Sequence, residues 1–318
     1  MGRALTGGNL TEPCLVILNP AAGSGNGGRQ RAAIERGLAE RGIAYELVQT
    51  RQRGDAIELA RQGVQDGRKR IVAAGGDGTV NEVINGVMQA GPGEPPALGV
   101  LSVGRGNDFA YGAGIPGDLQ GALDVLRDGQ PRLLDLGLVR GGLFPEGRYF
   151  GNCVGIGFDA VGTIEASKLP RLGGFLSFLV AVLKTIFIYN RGPLVRLAFN
   201  GRELTLPVLM VSIMNGQRLG GGFWMAPEAT ASDGRFDLCI VEQVPRRRIL
   251  GLIPHFLRGT QAGQPEVQSG RASRITVEAL EGVLPAQTDG EIICIDGTRL
   301  EVELLPSALK VLIPAERR

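Results

Sequence analysis

The stretch Arg70 to Met88, RIVAAGGDGTVNEVINGVM, constrains the fold more than any other part of this chain. Its apolar run, Ile71 to Ala74, has the length of a buried strand in a parallel sheet. Gly75, Gly76 and Gly78 crowd the turn that follows, where the backbone can take positive φ and approach a ligand closely. Thr79 followed three residues later by Glu82 predicts a capping box and a helix start there. Val80, Val83, Ile84 and Val87 continue that helix at helical spacing. Strand, glycine turn and capped helix aim N–H groups and the positive helix end at one point, an anion site that suits phosphate. Asp77 is the odd residue in this turn. A carboxylate beside phosphates is repulsive unless a cation lies between them or it accepts a proton during chemistry. The plainer reading, an aspartate bonded to its own backbone, is weakened because the glycines already supply the turn.

Composition removes several classes of function. The 318 residues suffice for two domains with a large core. A net charge of +2 gives no support to nucleic-acid binding. Glycine, at 50 residues, is about twice the usual ~7%, which favours tight turns and nucleotide-type loops. Cys14, Cys153, Cys239 and Cys294 lie far apart with no C-x-x-C, so neither a zinc site nor a disulfide framework is indicated. They read as reduced, buried thiols of a cytosolic protein. His255 is the only histidine, which all but removes histidine triads and multi-histidine metal sites. No secretory signal is visible, and Met1 to Glu12 reads as a disordered lead-in.

Other loops repeat the phosphate-approach geometry. Cys14 to Leu18 is a first strand, ending in Asn19-Pro20-Ala21-Ala22-Gly23-Ser24-Gly25 before a helix expected from about Gly28. Gly23 to Gln30 has P-loop spacing, but Arg29 and Gln30 replace its Lys and Ser/Thr. Tyr45 to Thr50 is a second strand, and a helix begins at Asp55. Ala97 to Val103 is another, followed by Gly104-Arg105-Gly106-Asn107-Asp108-Phe109-Ala110. Leu119 to Leu126 is a helix, and the strand Arg132 to Val139 carries Asp135.

These blocks together resemble the diacylglycerol kinase-type lipid kinases, a family that includes sphingosine and ceramide kinases. GGDGTVNEV looks like the family's nucleotide loop, and NAD kinases carry a similar GGDGT. NPAAG is similar to its N-P-x-A/S-G block, and the residues around Asp135 to its R-x-x-D-L-G. GRGNDFA resembles the end of P-x-G-T-x-N-D-F-A, with Ser102 where proline is usual and Arg105 where a phosphate-contacting threonine is usual. An arginine there could make a bidentate phosphate contact or fill part of the nucleotide pocket. The resemblance implies that Asn19, Thr50, Gly75, Gly76, Asp77, Gly78, Thr79, Val80, Asn81, Arg105 and Asn107 bind ATP. It further implies that Asp77, Asp108 and Asp135 hold a catalytic Mg²⁺ and its waters.

From about Arg140 the pattern turns to strands: Tyr149 to Ile156, Leu194 to Phe199, Leu204 to Met214, Arg235 to Val241, Ser273 to Glu278, Glu291 to Ile295 and Leu300 to Leu305. Asn-Gly and Asp-Gly turns separate them, as in an antiparallel sandwich. Leu172 to Tyr189 interrupts as a helix apolar on nearly every face, slightly short for a membrane span. It reads as buried, or as lining an acyl-chain cleft or touching a bilayer. Lys168, Arg171, Lys184, Arg191, Arg246, Arg247 and Arg248 could then meet anionic headgroups or simply face solvent. Phe223 to Asp237 is similar to the family turn that holds a structural Mg²⁺, which would use the Asp233 carboxylate and the carbonyls of Thr230 and Arg235. Gln287 to Glu291 resembles the family's D-G-E, whose glutamate accepts the proton of the attacking hydroxyl. Ala308 to Pro314 is a closing strand that returns to the first domain.

The fold expected is α/β plus β. A Rossmann-like α/β nucleotide-binding domain spans 13–134 with 307–318, an antiparallel β-sandwich lipid-substrate domain spans 135–306, and the active site lies in the cleft between them. The activity expected is an ATP- and Mg²⁺-dependent lipid kinase acting on a hydroxyl of diacylglycerol or a related lipid. Glu291 is preferred as the catalytic base because the metal needs Asp77, though either carboxylate stays open for that role. Two alternatives remain: an NAD kinase-like enzyme, or a lipid- or nucleotide-binding protein disabled at Arg105. Cytoplasmic location, peripheral contact with the inner membrane face and no nucleic-acid partner complete the expectation, with a homodimer left open.

Overall fold

The computed structural model describes residues 12–104, 106–168, 174–189 and 191–315. Arg105, Arg171 and all but the last residue of the Met1–Glu12 lead-in lie outside the described residues. Two compact units emerge, residues 1–134 with 307–318 and residues 135–306.

The first unit alternates β1 (Cys14–Leu18), α1 (Ala22–Glu40), β2 (Tyr45–Gln49), α2 (Asp55–Gln65), β3 (Arg70–Gly75), α3 (Asp77–Gln89), β4 (Ala97–Ser102), α4 (Asp108–Gly112) and α5 (Leu119–Asp128). Its strands are parallel in the order β4-β3-β1-β2. β1 and β4 are buried throughout and β3 from Ile71 onward, which is why they are continuous apolar runs rather than alternating ones. Two local expectations fail here. Helix α1 begins at Ala22, and Gly23, Ser24 and Gly25 take φ of 58, 62 and 84° before it becomes regular. Helix α3 begins at Asp77 with Gly76 as its N-cap and no side-chain cap, so no capping box forms. Glu82 instead accepts the N–H groups of Gly54 (3.0 Å) and Ala56 (3.3 Å), satisfying the bare start of α2.

β5 (Gln130–Gly141) carries the chain across the boundary at residue 135. The second unit continues with β6 (Phe144–Phe150), β7 (Cys153–Gly157), α6 (Phe158–Lys168), α7 (Gly174–Ile188), β8 (Leu194–Phe199), β9 (Arg202–Met214), β10 (Arg218–Leu219), β11 (Phe223–Trp224) and β12 (Phe236–Glu242). Then come α8 (Arg246–Arg258), β13 (Val267–Ala272), β14 (Arg274–Glu281), β15 (Ala286–Thr288), β16 (Glu291–Cys294) and β17 (Arg299–Ile313). One layer runs β16-β15-β7-β9-β12-β13, and the other joins β8, β14, β17, β5 and β6. Strand β9 serves both: Arg202 to Pro207 pair with β8, and Val208 to Met214 pair with β7 and β12. The inner faces meet in an apolar core that includes Phe150, Ile156, Leu197, Val211, Phe236 and Ile275. Phe150 and Phe236 stack in it with ring centroids 5.5 Å apart. A second core beside β7, β9 and β12 takes in α6, α7 and α8 through Phe158, Ile186, Ile249 and Phe256.

The expected strand Tyr149–Ile156 is two strands, because Gly151 and Asn152 give their N–H groups to Asp289 rather than to a ladder. The expected break before Ala308 is absent. β17 runs on through Pro306 and Ser307, the latter at φ 53°, and Val311 pairs in parallel with Leu98 of β4 in the first unit. Helices α6 and α8 had no sequence expectation; α8 contains Pro254, and α6 starts directly from the end of β7.

Candidate active site

In the first unit, Leu18 lies level with Gln49 and Ala74, and Ala74 with Leu101. Asn19, Thr50, Gly76 and Gly104 therefore follow the same carboxyl edge, where open α/β sheets bind ligands. The loops are tied there by backbone: Asn19 N–H to Ala74 C=O (2.9 Å), Thr50 N–H to Leu18 C=O (3.0 Å) and Val103 N–H to Gly75 C=O (3.0 Å). Asn19 Nδ2 donates to Thr79 Oγ1 at 3.0 Å, while its Oδ1 accepts Ala21 N–H at 3.0 Å. The glycines are packing requirements. A Cβ on Gly75 would stand 2.3 Å from Thr79 Oγ1, and one on Gly104 would stand 2.3 Å from the Cα of Gly76. Val80 and Asn81 point inward and are buried, so at this edge they offer only backbone.

The acidic residues converge on the loop after β4. Asp77 Oδ1 accepts Phe109 N–H at 3.2 Å. A Cβ on Gly106 would lie 2.8 Å from Asp77 Oδ2 and 3.2 Å from Asp108 Oδ2, so both carboxylates crowd that glycine. Burial pushes the Asp77 carboxyl above its ordinary value, against the pull of backbone N–H groups from Phe109, Asp108 and Asn107. Asn107 sits at φ 52°, and its buried Oδ1 has no partner among the described residues. Mg²⁺ suits this donor set, since it takes one or two carboxylates, keeps several waters and completes its shell with substrate phosphates. Among the described residues, no group of three or more His, Cys, Asp or Glu side chains gathers to hold a metal without such phosphates.

In the second unit, Glu291 opens β16 opposite Thr288 and is buried. Arg148 Nη2 meets its Oε2 at 2.6 Å, and that guanidinium also lies 5.4 Å from the centre of the Phe144 ring. Sequence reasoning missed Arg148, whose only signal was a basic residue inside an otherwise apolar strand end. The neighbouring Asp289, at φ 46°, accepts the N–H groups of Gly151 (2.9 Å), Asn152 (3.1 Å) and Cys153 (2.9 Å). It clamps the strand break that faces the hairpin, and Thr288 Oγ1 adds a bond to Cys153 C=O at 2.8 Å.

Asp135 is placed at the Thr230–Arg235 turn. Its Oδ2 accepts Gly234 N–H and its N–H donates to Ala231 C=O, both at 2.8 Å. Asp233 is exposed, and its Oδ1 accepts Arg235 N–H at 3.1 Å. Of the basic residues around α7, Lys168 and Lys184 both pair with Glu165 at 2.7 Å, and Arg248 pairs with Glu266. The headgroup role considered for these three is thereby displaced by internal ion pairs. All four cysteines are free and buried. Among the described residues, no helix is long and apolar enough to cross a membrane.

Two family models match the chain, the diacylglycerol kinase catalytic domain over residues 13–139 and the YegS C-terminal NAD kinase beta sandwich-like domain over residues 152–313. The protein of Chromohalobacter salexigens named "Probable lipid kinase YegS-like" is 33% identical over 287 residues, covering 89% of this chain and 88% of its own. A diacylglycerol kinase of Mycobacterium tuberculosis is 27% identical, with 94% of each chain covered. A crystal structure of a diacylglycerol kinase from Bacillus anthracis superposes with a TM-score of 0.72 at 23% identity, covering 95% of this chain and 97% of that one, which shows the shared fold. With the glycine turn, the paired carboxylates and the β-sandwich each in place, this chain belongs to the diacylglycerol kinase-like family of lipid kinases.

Proposed function

We propose that this protein transfers the γ-phosphoryl group of ATP to a hydroxyl of diacylglycerol or a related lipid, with Mg²⁺ required. The observation that carries the reading is the pair Asp77 and Asp108, crowded on Gly106 at the open end of a glycine turn. The backbone of Gly75 to Asn81, with Asn19 and Thr50, holds the nucleotide phosphates, and the bare N-terminus of α3 adds its dipole. Asp77, Asp108 and Asn107 Oδ1 would hold the ion, which supplies charge neutralisation at the phosphates. Glu291 accepts the proton of the attacking hydroxyl, and Arg148 orients its carboxylate. Asp135 then braces the Thr230–Arg235 turn, where the Asp233 carboxylate and the carbonyls of Thr230 and Arg235 would take a second, structural Mg²⁺.

Contact with a membrane belongs to the same reading. Leu183, Phe187 and Ile188 of α7 and Leu250 of α8 are exposed, and Arg246 Nη2 donates to Phe187 C=O beside them. With Arg191 and Arg247 they form an apolar and basic patch suited to anionic headgroups. Incubation with γ-labelled ATP, Mg²⁺ and total bacterial lipid tests the activity directly. Label should enter one lipid class and require Mg²⁺; label in NAD with none in lipid would refute the assignment.

A further inference from the structure

The second core is not closed. Between α6, α7, α8 and the face of β9 lies a cleft of about 510 Å³, partly open to solvent, within the size range of small-molecule sites. Its walls include Phe158, Val182, Met210, Phe223, Leu252 and Phe256, and the sole polar residue among its lining is Asp159. That carboxyl is 6% exposed; Ser212 Oγ donates to its Oδ2 at 3.1 Å, and its Oδ1 has no partner among the described residues. The hydroxyl of Tyr189, whose ring meets that of Phe158 edge-on, is likewise buried and unpartnered. A buried polar atom without a partner is rare enough to require an explanation. Gly155, against which the Asp159 carboxyl packs, pairs with Gln287, and Thr288 pairs with Glu291. The orphaned acid therefore stands one strand from the proposed base.

We propose that this cleft seats an acyl chain of the lipid acceptor and that Asp159, in its neutral form, donates a hydrogen bond from Oδ1 to the acyl ester carbonyl. The inference rests on the lipid-kinase reading for the identity of the acceptor, but the binding it describes needs no ATP. Burial raises the Asp159 carboxyl to about 7, so the donor form is present below neutrality. An ionised carboxylate would have only acceptor oxygens to show an ester and would favour an amine instead.

Other ionisable groups surround it. Tyr189 and Cys239 are both pushed up by burial and by the Asp159 charge, Cys239 to about 12, and stay neutral through this range. Glu165 is paired with Lys168 and Lys184, and Glu291 with Arg148. Cys153 and Cys294 are buried thiols. On α8, Arg248 pairs with Glu266, Arg246 bonds Phe187, Arg247 and Arg258 are further cations, and His255 Nδ1 bonds Thr260 Oγ1. An Asp159→Asn variant keeps all of these, so it isolates the carboxyl.

The test uses the full chain without nucleotide, the fluorescence of its single tryptophan, Trp224, next to Phe223 of the cleft, and two probes. These are dioctanoylglycerol and the dioctyl ether of glycerol, which lacks ester carbonyls. The wild type should bind the ester about tenfold more weakly at pH 8 than at pH 6, as the competent acid fraction falls. Asp159→Asn should bind the ester with no such dependence, and Asp159→Leu should lose about tenfold for the ester and nothing for the ether. Equal binding of both probes by the wild type and Asp159→Leu would overturn the proposal, as would tight, Asp159-dependent capture of dodecylamine at pH 8. If no lipid is phosphorylated while the ester preference holds, the kinase reading fails and the subsite stands. Lipid turnover with an unchanged ester preference in Asp159→Leu sinks the subsite alone.

Discussion

Arg148 and Glu291 form an ion pair with side chains 5% and 10% exposed, where neither charge has water to fall back on. Removing the cation strands a carboxylate, at a cost of about 3–5 kcal/mol. Arg148→Met should therefore lower the urea midpoint markedly, and adding Glu291→Gln should recover much of the loss; additive losses would deny the coupling. Asp159 makes a different claim on stability. Its folded value, about 7, exceeds the ordinary 3.8, so the folded state binds its proton more tightly and stability falls as pH rises from about 4 to about 7. Asp159→Asn should be more stable than the wild type at pH 8, by up to about 4 kcal/mol, with the advantage fading toward pH 4. Chemical denaturation at both pH values checks the sign. Residues within one motif, such as Asn19, Asp77 and Asp108, were legible because glycine spacing places them together. Arg148 was not, since its partner lies 143 residues away and an isolated arginine in a strand names no partner. Asp289 looked like an ordinary hairpin aspartate until its bonds to three N–H groups were seen.

At the scale of elements, α2 and α3 approach so closely that a Cβ on Gly86 would stand 2.2 Å from Ile57 C=O. Glu82, one turn earlier, holds the start of α2 through Gly54 and Ala56. Gly86→Val should cost about 1–3 kcal/mol by forcing the helices apart, and it should raise the KM for ATP because α2 follows Thr50. A variant with normal melting and normal KM would show the contact to be slack. Strands β1 to β4 were legible because each is a short apolar run closed by glycine or a polar loop. The capping box misled because Thr79 Oγ1 is occupied by Asn19 and Glu82 by another helix. The helices α6 and α8 carry glycine or proline inside them, which local propensity reads as breaks.

For the whole molecule, the split of composition near residue 135 marked two units from sequence, while the apolar stretch Leu172–Tyr189 showed which face it buries only when folded. Val182 and Ile186 of α7 enter the second core, and Phe187 remains 67% exposed. Sedimentation with vesicles should show binding that needs anionic lipid and weakens with salt. Arg246→Glu with Arg247→Glu should weaken it by about tenfold or more, at about 1 kcal/mol for each lost cation. Equal binding to neutral vesicles by the double variant would remove the electrostatic part. The central claim, that one carboxylate serves the metal and another the acceptor proton, is tested most directly by lipid kinase turnover of Asp77→Asn and Glu291→Gln across a Mg²⁺ titration. Asp77→Asn should raise the Mg²⁺ needed, and Glu291→Gln should cut kcat by about a hundredfold or more at saturating Mg²⁺ with its Mg²⁺ requirement unchanged. Wild-type turnover and wild-type Mg²⁺ dependence in both variants would contradict it.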